Sequence, residues 1–307
     1  MAKPAANPLL RALQRLLGIS DKSGKTPGPD SLDTAPLIPQ AQEILAAELP
    51  QKRMLVASAQ STGLERSHNE DSLFFMHSNS QGQELPSDFG LYIIADGMGG
   101  HRAGELASAI SVNTVVNYLV NQIFLQLYNS GTESENQPLQ ELVKEAMEDS
   151  NLNVVEKVPG GGTTLTTVVF LGSHITIGHV GDSRAYICSD DSMKQLTRDH
   201  SLVERLCELG QITVEEAAVH PQRNVLYRAI GQGANLEVDI ATYPAPQDAT
   251  LVLCSDGLWG VVDDEMMHRI ITDAPDLQQA CNDLVFAANN AGGPDNISVI
   301  LVYFPPS

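Results

Sequence analysis

Positive charge is scarce in this 307-residue chain: 18 Lys and Arg stand against 38 Asp and Glu, a formal net charge of −20. The deficit is uneven. Residues 1–53 hold 7 cations and 5 acids, which leaves 11 cations and 33 acids for everything after them. So acidic a surface repels phosphate backbones and anionic membranes, and nucleic acid is excluded as a natural partner. It also means that a phosphorylated substrate must be gripped by a few local cations or by metal ions. Cysteine is sparse as well. Cys188, Cys207, Cys254 and Cys281 show no CxxC spacing, so neither a disulfide frame nor a zinc site is expected, only buried or free thiols in a reducing compartment. No apolar run approaches the length of a membrane span. The leucines between Pro8 and Gly18 are broken by Arg11 and Arg15, which spoils a signal-peptide core. A cytoplasmic location is expected.

The rest of the composition is that of a globular protein, 42% hydrophobic and 18% charged. Residues 8–17 predict a short basic amphipathic helix, with Leu9, Leu10, Leu13, Leu16 and Leu17 on one side. A membrane-surface or partner-docking anchor and an inconsequential terminal helix are both compatible with it, and the second is preferred. Residues 19–40, rich in Pro, Ser, Gly, Asp and Lys, read as a disordered linker. The expected organisation is an extension over 1–50 followed by one folded domain over 54–305.

Within that domain, strands are predicted at 54–60, 72–76 and 89–95, then a long helix over 103–128 and a second over 138–157, with a polar loop at 129–137 between them. The β-branched stretch 161–170 predicts one strand. Strands at 174–180 and 184–188 are predicted to form a hairpin through Gly181-Asp182-Ser183, with a short strand at 195–196. Residues 199–231 turn to short helical pieces carrying Arg198 at their edge, His200, Arg205, His220, Arg223 and Arg228. Such cationic enrichment reads equally as a substrate-facing lid and as a solvated helical pair. Strands at 250–255 and 297–303 flank a helix at 276–290, for which Asp276 is the expected N-cap with Gln279 three residues on. Strands in hairpins with helices grouped between them imply an α+β fold with largely antiparallel sheets and helices packed outside.

The chemistry concentrates at strand ends. Ile93-Ile94-Ala95-Asp96-Gly97-Met98-Gly99-Gly100-His101 reads as a buried strand that stops at a carboxylate, turns through three glycines and opens a helix near Gly104. Such a turn can present the Asp96 side chain and the Gly97 carbonyl to one ligand. Asp256-Gly257 and Asp295-Asn296 mark two more strand ends, Glu70-Asp71 precedes a third apolar run, and Asp182 sits in a turn. With no histidine or cysteine cluster to compete, these carboxylates suit an oxygen-only site for a hard cation, Mg²⁺ or Mn²⁺. Gathered unpaired they would repel severely, so gathering implies metal. Two ions sharing one carboxylate lower the pKa of a bridging water until it is hydroxide near neutral pH, a nucleophile for hydrolysis.

Six segments in order resemble the metal-dependent PPM family of serine/threonine protein phosphatases, also called the 2C type, in its bacterial form. They are Arg66-Ser67-His68-Asn69-Glu70-Asp71, Asp96 to His101 with Gly104-Glu105, Gly162-Thr163-Thr164, Gly181-Asp182-Ser183-Arg184-Ala185, Ser255-Asp256-Gly257-Leu258-Trp259, and Asp295-Asn296. The resemblance implies a four-layer αββα sandwich of two antiparallel sheets flanked by helices, with a two-metal centre at one end. It also implies a flap over 189–228. By the same resemblance, Asp96 would bridge both ions and the Gly97 carbonyl would ligate one. Asp256 and Asp295 would complete the other ion's ligands, while Glu70 and Asp71 would hold ion-bound waters. Asp182, with Asp256, matches the site of a weaker third ion, and Arg66 would grip the substrate phosphate. Gly162-Thr163-Thr164 and Arg184 would be mainly structural. The implied reaction is direct attack of the bridging hydroxide on phosphoserine or phosphothreonine of proteins, such as a serine/threonine kinase or its substrates, by a monomer. One position departs from the pattern of eukaryotic relatives, which have a histidine directly after the Asp-Gly to protonate the leaving alcohol. Met98 stands there and has no proton to give; His101 lies three residues on. The competing readings are a pseudophosphatase that serves as a binding scaffold and a small-molecule phosphohydrolase.

Overall fold

The computed structural model describes residues 54–78, 88–100, 102–125 and 137–306. All belong to one compact unit, Pro50–Ser307. The helix expected at 8–17, the linker at 19–40, most of the loop at 129–137 and His101 lie outside the described residues.

The chain begins with strands β1 (Leu55–Ser61), β2 (Ser72–Ser78) and β3 (Phe89–Ala95), and a two-residue strand β4 (Gly97–Met98) leads into helix α1 (Arg102–Leu119). Helix α2 (Leu139–Lys157) precedes β5 (Gly162–Thr163), β6 (Leu165–Leu171), β7 (His174–Val180), β8 (Arg184–Ser189) and β9 (Ser192–Gln195). Short helices α3 (Leu202–Glu208) and α4 (Val214–Ala218) lie in the flap segment. Then come β10 (Asp239–Pro244), β11 (Ala249–Cys254), helices α5 (Asp256–Trp259), α6 (Asp264–Asp273) and α7 (Leu277–Asn290), and β12 (Ile297–Phe304).

Two five-stranded sheets result, ordered β1-β12-β11-β8-β9 and β10-β7-β6-β3-β2, every pairing antiparallel. The central strands β3, β11 and β12 read as near-unbroken apolar runs because both faces are buried. In β3, Phe89, Leu91, Ile93 and Ala95 pack toward α1 and α2, while Tyr92 and Ile94 point between the sheets. In β12, Ile297, Val299 and Leu301 pack toward α6 and α7, while Ile300, Val302 and Phe304 enter the inter-sheet core. The period of two thus serves three apolar layers, and the architecture is the α+β four-layer sandwich that the sequence implied.

Three local readings change. The 161–170 stretch is two strands, because Thr164 leaves the line: β5 pairs with β4, and β6 joins the main sheet. Gly181-Asp182-Ser183 is not a hairpin turn. β7 lies in one sheet and β8 in the other, so these residues carry the chain across the sandwich. Gly181 makes the crossing at φ +109°, and a Cβ there would stand 2.6 Å from Thr164. The helix predicted over 103–128 is α-helical only to Leu119 and continues as a π-helical turn, Val120–Phe124. Besides the two-residue β4 and the four-residue α5, two elements were not foreseen. β10 is an edge strand ending at Pro244, too short and polar to stand out. α6 is capped by Asp263, whose side chain accepts from the Met266 N–H, and it buries Met267 and packs Ile270 and Ile271. Asp276 caps α7 as expected, accepting from the Gln279 N–H at 2.8 Å.

Candidate metal centre

Asp96 follows the last residue of β3, and its peptide is pinned by the strand that crosses it. Its N–H donates to Thr164 Oγ1 at 2.8 Å. Its carbonyl accepts from the Thr164 N–H at 2.9 Å and from Thr163 Oγ1 at 2.8 Å. Gly97 admits no side chain: a Cβ would lie 2.3 Å from the Gly104 carbonyl oxygen and 2.5 Å from that of Glu70. The glycine is therefore needed for close approach of three backbone segments, and its φ is ordinary.

Asp256 opens α5 at the end of β11, and Asp295 stands just before β12. Asn296 fastens the loop leading to Glu70. Its Oδ1 accepts from the Glu70 N–H at 2.7 Å, and its Nδ2 donates to the carbonyls of Thr62 (2.9 Å) and His68 (3.0 Å). Asp71 is held by two hydroxyls, Ser255 Oγ at 2.9 Å and Ser298 Oγ at 2.6 Å, both donating to Oδ2. Arg66, half exposed at the rim, donates from Nη2 to Asp295 Oδ2 at 2.6 Å. Asp182 is buried in the inter-sheet crossing, its carbonyl accepting from Trp259 Nε1 at 3.0 Å.

Electrostatics ties these groups together. Burial pushes the Asp71 carboxyl up to about 7 against the two serine hydroxyls, helped by Asp256 and Asp295. Burial also holds Asp96 well above the carboxylate range, reinforced by Asp71, Asp256 and Asp182. Asp182 is raised by burial and then by Asp256 and Asp199, and Asp256 by burial and Asp295. Four acids that each disfavour another's charge need a cation or protons. Buried oxygens Asp71 Oδ1 and Asp256 Oδ1 have no hydrogen-bond partner. The donors are all oxygen, which fits hard divalent ions. Among the described residues, no three acids already surround one point at ligating distance. The Asp96 and Asp256 carboxyls instead lie against each other, and Arg66 holds Asp295. An ion would replace both contacts. Glu70, Asp71, Asp96, Gly97, Asp182, Asp256, Asp295 and Arg66 thus lie around one acidic end of the sandwich.

The flap behaves differently from its composition. Arg198 and Arg205 both pair with Glu208 at 2.8 Å, and Arg228 pairs with Glu237 and Asp239 at 2.7 Å. Much of its positive charge is spent locally. Thr164, read from the sequence as structural, pins the Asp96 peptide, whereas Ser255, Asn296 and Trp259, quoted only within motifs, and Ser298 were given no role in holding the acids. Adjacency to an Asp was the available signal for Ser255 and Asn296.

A four-layer sandwich whose strand ends gather oxygen-only ligands defines a metal-dependent hydrolase scaffold. The model of the protein phosphatase 2C family matches residues 64–286, and this chain belongs to that family. The serine/threonine phosphatase stp of Listeria innocua is 37% identical over 244 residues, covering 78% of this chain and 92% of the relative. Protein phosphatase PhpP of Streptococcus pneumoniae is 35% identical over 246 residues, with 78% and 93% covered. Among solved structures, the Mycobacterium tuberculosis serine/threonine phosphatase PstP/Ppp is similar at TM-score 0.68 and 31% identity, covering 82% of this chain and 99% of its own. A PstP catalytic domain in complex with 2 manganese ions is similar at TM-score 0.66 and 29% identity, with 81% and 97% covered.

Proposed function

We propose that this chain is a metal-dependent protein serine/threonine phosphatase, its catalytic domain spanning 54–305 and its extension 1–50. The observation that carries the reading is the buried set of Asp71, Asp96, Asp182 and Asp256, each raised by burial and by its neighbours, with Arg66 at the rim. Family membership and relatives named as serine/threonine phosphatases support it.

Asp96, Asp256, Asp295 and the Gly97 carbonyl would hold two Mn²⁺ or Mg²⁺ ions, and Asp182 with Asp256 a weaker third. Glu70 and Asp71 would accept hydrogen bonds from water in the ions' shells. Bound ions supply Lewis-acid activation of water and neutralise charge on the phosphoryl oxygens. Arg66, which pairs with Asp295, would turn to the substrate phosphate, where its planar fork offers two donors. In the net reaction a water oxygen bonds to phosphorus, the ester P–O bond breaks, and the serine or threonine oxygen leaves with a proton. Met98 cannot supply that proton; on this reading water would. The natural substrates on this reading are phosphoproteins of a serine/threonine kinase system, met in the cytoplasm by a monomer.

The test is hydrolysis of a phosphothreonine peptide, free phosphometabolites and an aryl phosphate by wild type and Asp256→Asn, with Mn²⁺ and with chelator. Peptide turnover only by metal-loaded wild type is expected. Preference for phosphometabolites would favour the small-molecule hydrolase. Folded, metal-loaded wild type inert on all three would favour the binding scaffold.

A further inference from the structure

His200 is wholly buried at the root of the flap, and both its ring and its backbone close on one glycine. The Gly181 N–H donates to His200 Nδ1 at 3.1 Å, and the His200 N–H donates to the Gly181 carbonyl at 2.8 Å. Because Nδ1 accepts, the single ring proton of the neutral imidazole sits on Nε2. Nε2 lies 3.2 Å from Asp239 Oδ2, while Arg228 Nη1 lies 2.7 Å from Asp239 Oδ1. Nε2 and Nη1 are 3.1 Å apart, yet two donors cannot bond each other. Both therefore serve Asp239, one to each oxygen.

The contacts on either side join the two ends of the flap. Leu202 N–H donates to the Val225 carbonyl at 2.7 Å, and Tyr227 N–H to the His200 carbonyl at 3.0 Å. Asp199, the preceding residue, takes Arg184 in a fork, with Nη2 at 2.7 Å and Nε at 3.0 Å. His179 stacks near His200 at 5.0 Å between centroids, its Nε2 facing the Arg198 carbonyl at 3.0 Å. Flap residues 199–202 and 225–228, with Asp239 beyond them, thus meet around His200, whose ring is bonded in turn to the N–H of Gly181, the residue before Asp182.

We infer that His200 is a positioning residue that couples the flap to the Asp182 crossing, setting where the Asp182 carboxylate stands. The kinetic part of this inference rests on the phosphatase reading; the structural part does not. His200 touches neither substrate nor reacting atoms. Displacing a catalytic carboxylate by about 1 Å is enough to cost rate, which is why a buried two-sided clasp matters at this point.

The two faces of the ring can be tested apart. His200→Asn keeps an amide oxygen near the position of Nδ1 and loses the reach to Asp239. His200→Gln reaches toward Asp239 and gives up the Gly181 contact. Backbone hydrogen exchange of the full metal-loaded chain is read by mass spectrometry alongside kinetics on a phosphothreonine peptide. With His200→Gln, exchange at 181–184 should rise and kcat fall about tenfold at similar KM. With His200→Asn, exchange at 226–240 should rise, with KM up several-fold and kcat nearly kept. Equal effects of both variants on both segments, or wild-type kinetics in both, would overturn the inference. Should the histidine variants not fold, Asp239→Asn breaks the same side as His200→Asn, and unchanged exchange at 226–240 with wild-type KM would overturn the inference. Wild type that turns over no phosphopeptide would sink the phosphatase reading, while the exchange pattern still decides the clasp.

Discussion

Asp96 and Asp182 stand in one acidic cluster but are held by different means. Asp96 hangs from the end of a central strand, its peptide bonded to Thr163 and Thr164 on the neighbouring strand segment. Asp182 lies where the chain leaves one sheet for the other, and its peptide is held by side chains from distant elements. Trp259 Nε1 donates to its carbonyl, Arg184 stacks with Cζ 3.5 Å from the Trp259 ring centroid, and Asp199 anchors Arg184. The backbone bond from the Thr164 N–H to the Asp96 carbonyl cannot be removed by side-chain mutation, whereas each of these supports of Asp182 can. The first half of the site is fixed by the sheet; the second is adjustable, and the flap is attached to it.

The largest effect should come from breaking the sheet-held half. Asp256→Asn removes charge from between Asp96 and Asp295 and should lower kcat/KM on the order of 10³-fold at saturating Mn²⁺. Asp182→Asn should cost roughly tenfold to a hundredfold under the same conditions. Equal losses would mean that the two halves contribute alike.

The next effect is on stability. Burial, and after it His200, holds His179 down to about 3, whereas an unfolded histidine titrates near 6.5. The unfolded chain therefore binds more protons between those values. The sign follows: this contribution is full above about pH 6.5 and is lost as pH falls toward 3. Urea midpoints of wild type and His179→Gln, compared at pH 7.5 and pH 5, should converge as pH falls, by roughly 1–2 kcal/mol at pH 5. A difference independent of pH would show that His179 titrates normally in the fold.

How the halves differ also explains how they read in sequence. An apolar run that ends in an acid and a glycine locates Asp96 and Asp256, and an acid and an asparagine that open an apolar run locate Asp295, without any knowledge of the fold, because strand end and acid are one local pattern. The sandwich follows from runs whose two faces are both apolar. The supports of Asp182 carry no such pattern. Arg184 and Asp199 are 15 residues apart, and Trp259 and Asp182 are 77 apart. Gly181-Asp182-Ser183 looks like a hairpin because turn chemistry reports a reversal and not the sheet that receives the next strand. The flap cations looked available because composition does not reveal that Glu208, Glu237 and Asp239 neutralise them.

Leaving-group chemistry sharpens the comparison further. If the Asp182 half assists departure of the alcohol, Asp182→Ala should slow phosphoserine hydrolysis about tenfold more than hydrolysis of an activated aryl phosphate, which needs little protonation. Equal losses in kcat for both substrates would restrict Asp182 to a structural or ion-binding part.

Trp259→Phe should give the smallest change, and it isolates a single hydrogen bond. Phenylalanine keeps an aromatic face under the largely buried Arg184 guanidinium, so most of the stacking survives. Only the indole N–H to the Asp182 carbonyl is lost. A neutral hydrogen bond contributes about 1 kcal/mol net, which converts to roughly a threefold to tenfold fall in kcat if all of it serves to place Asp182. The melting temperature should drop by no more than about 2–4 °C on the same figure. A variant that loses stability by that amount and keeps its kcat would show that the bond supports the fold alone. One that keeps stability and loses kcat would show that the adjustable half of the site is tuned from Trp259, through a bond that the sheet does not need.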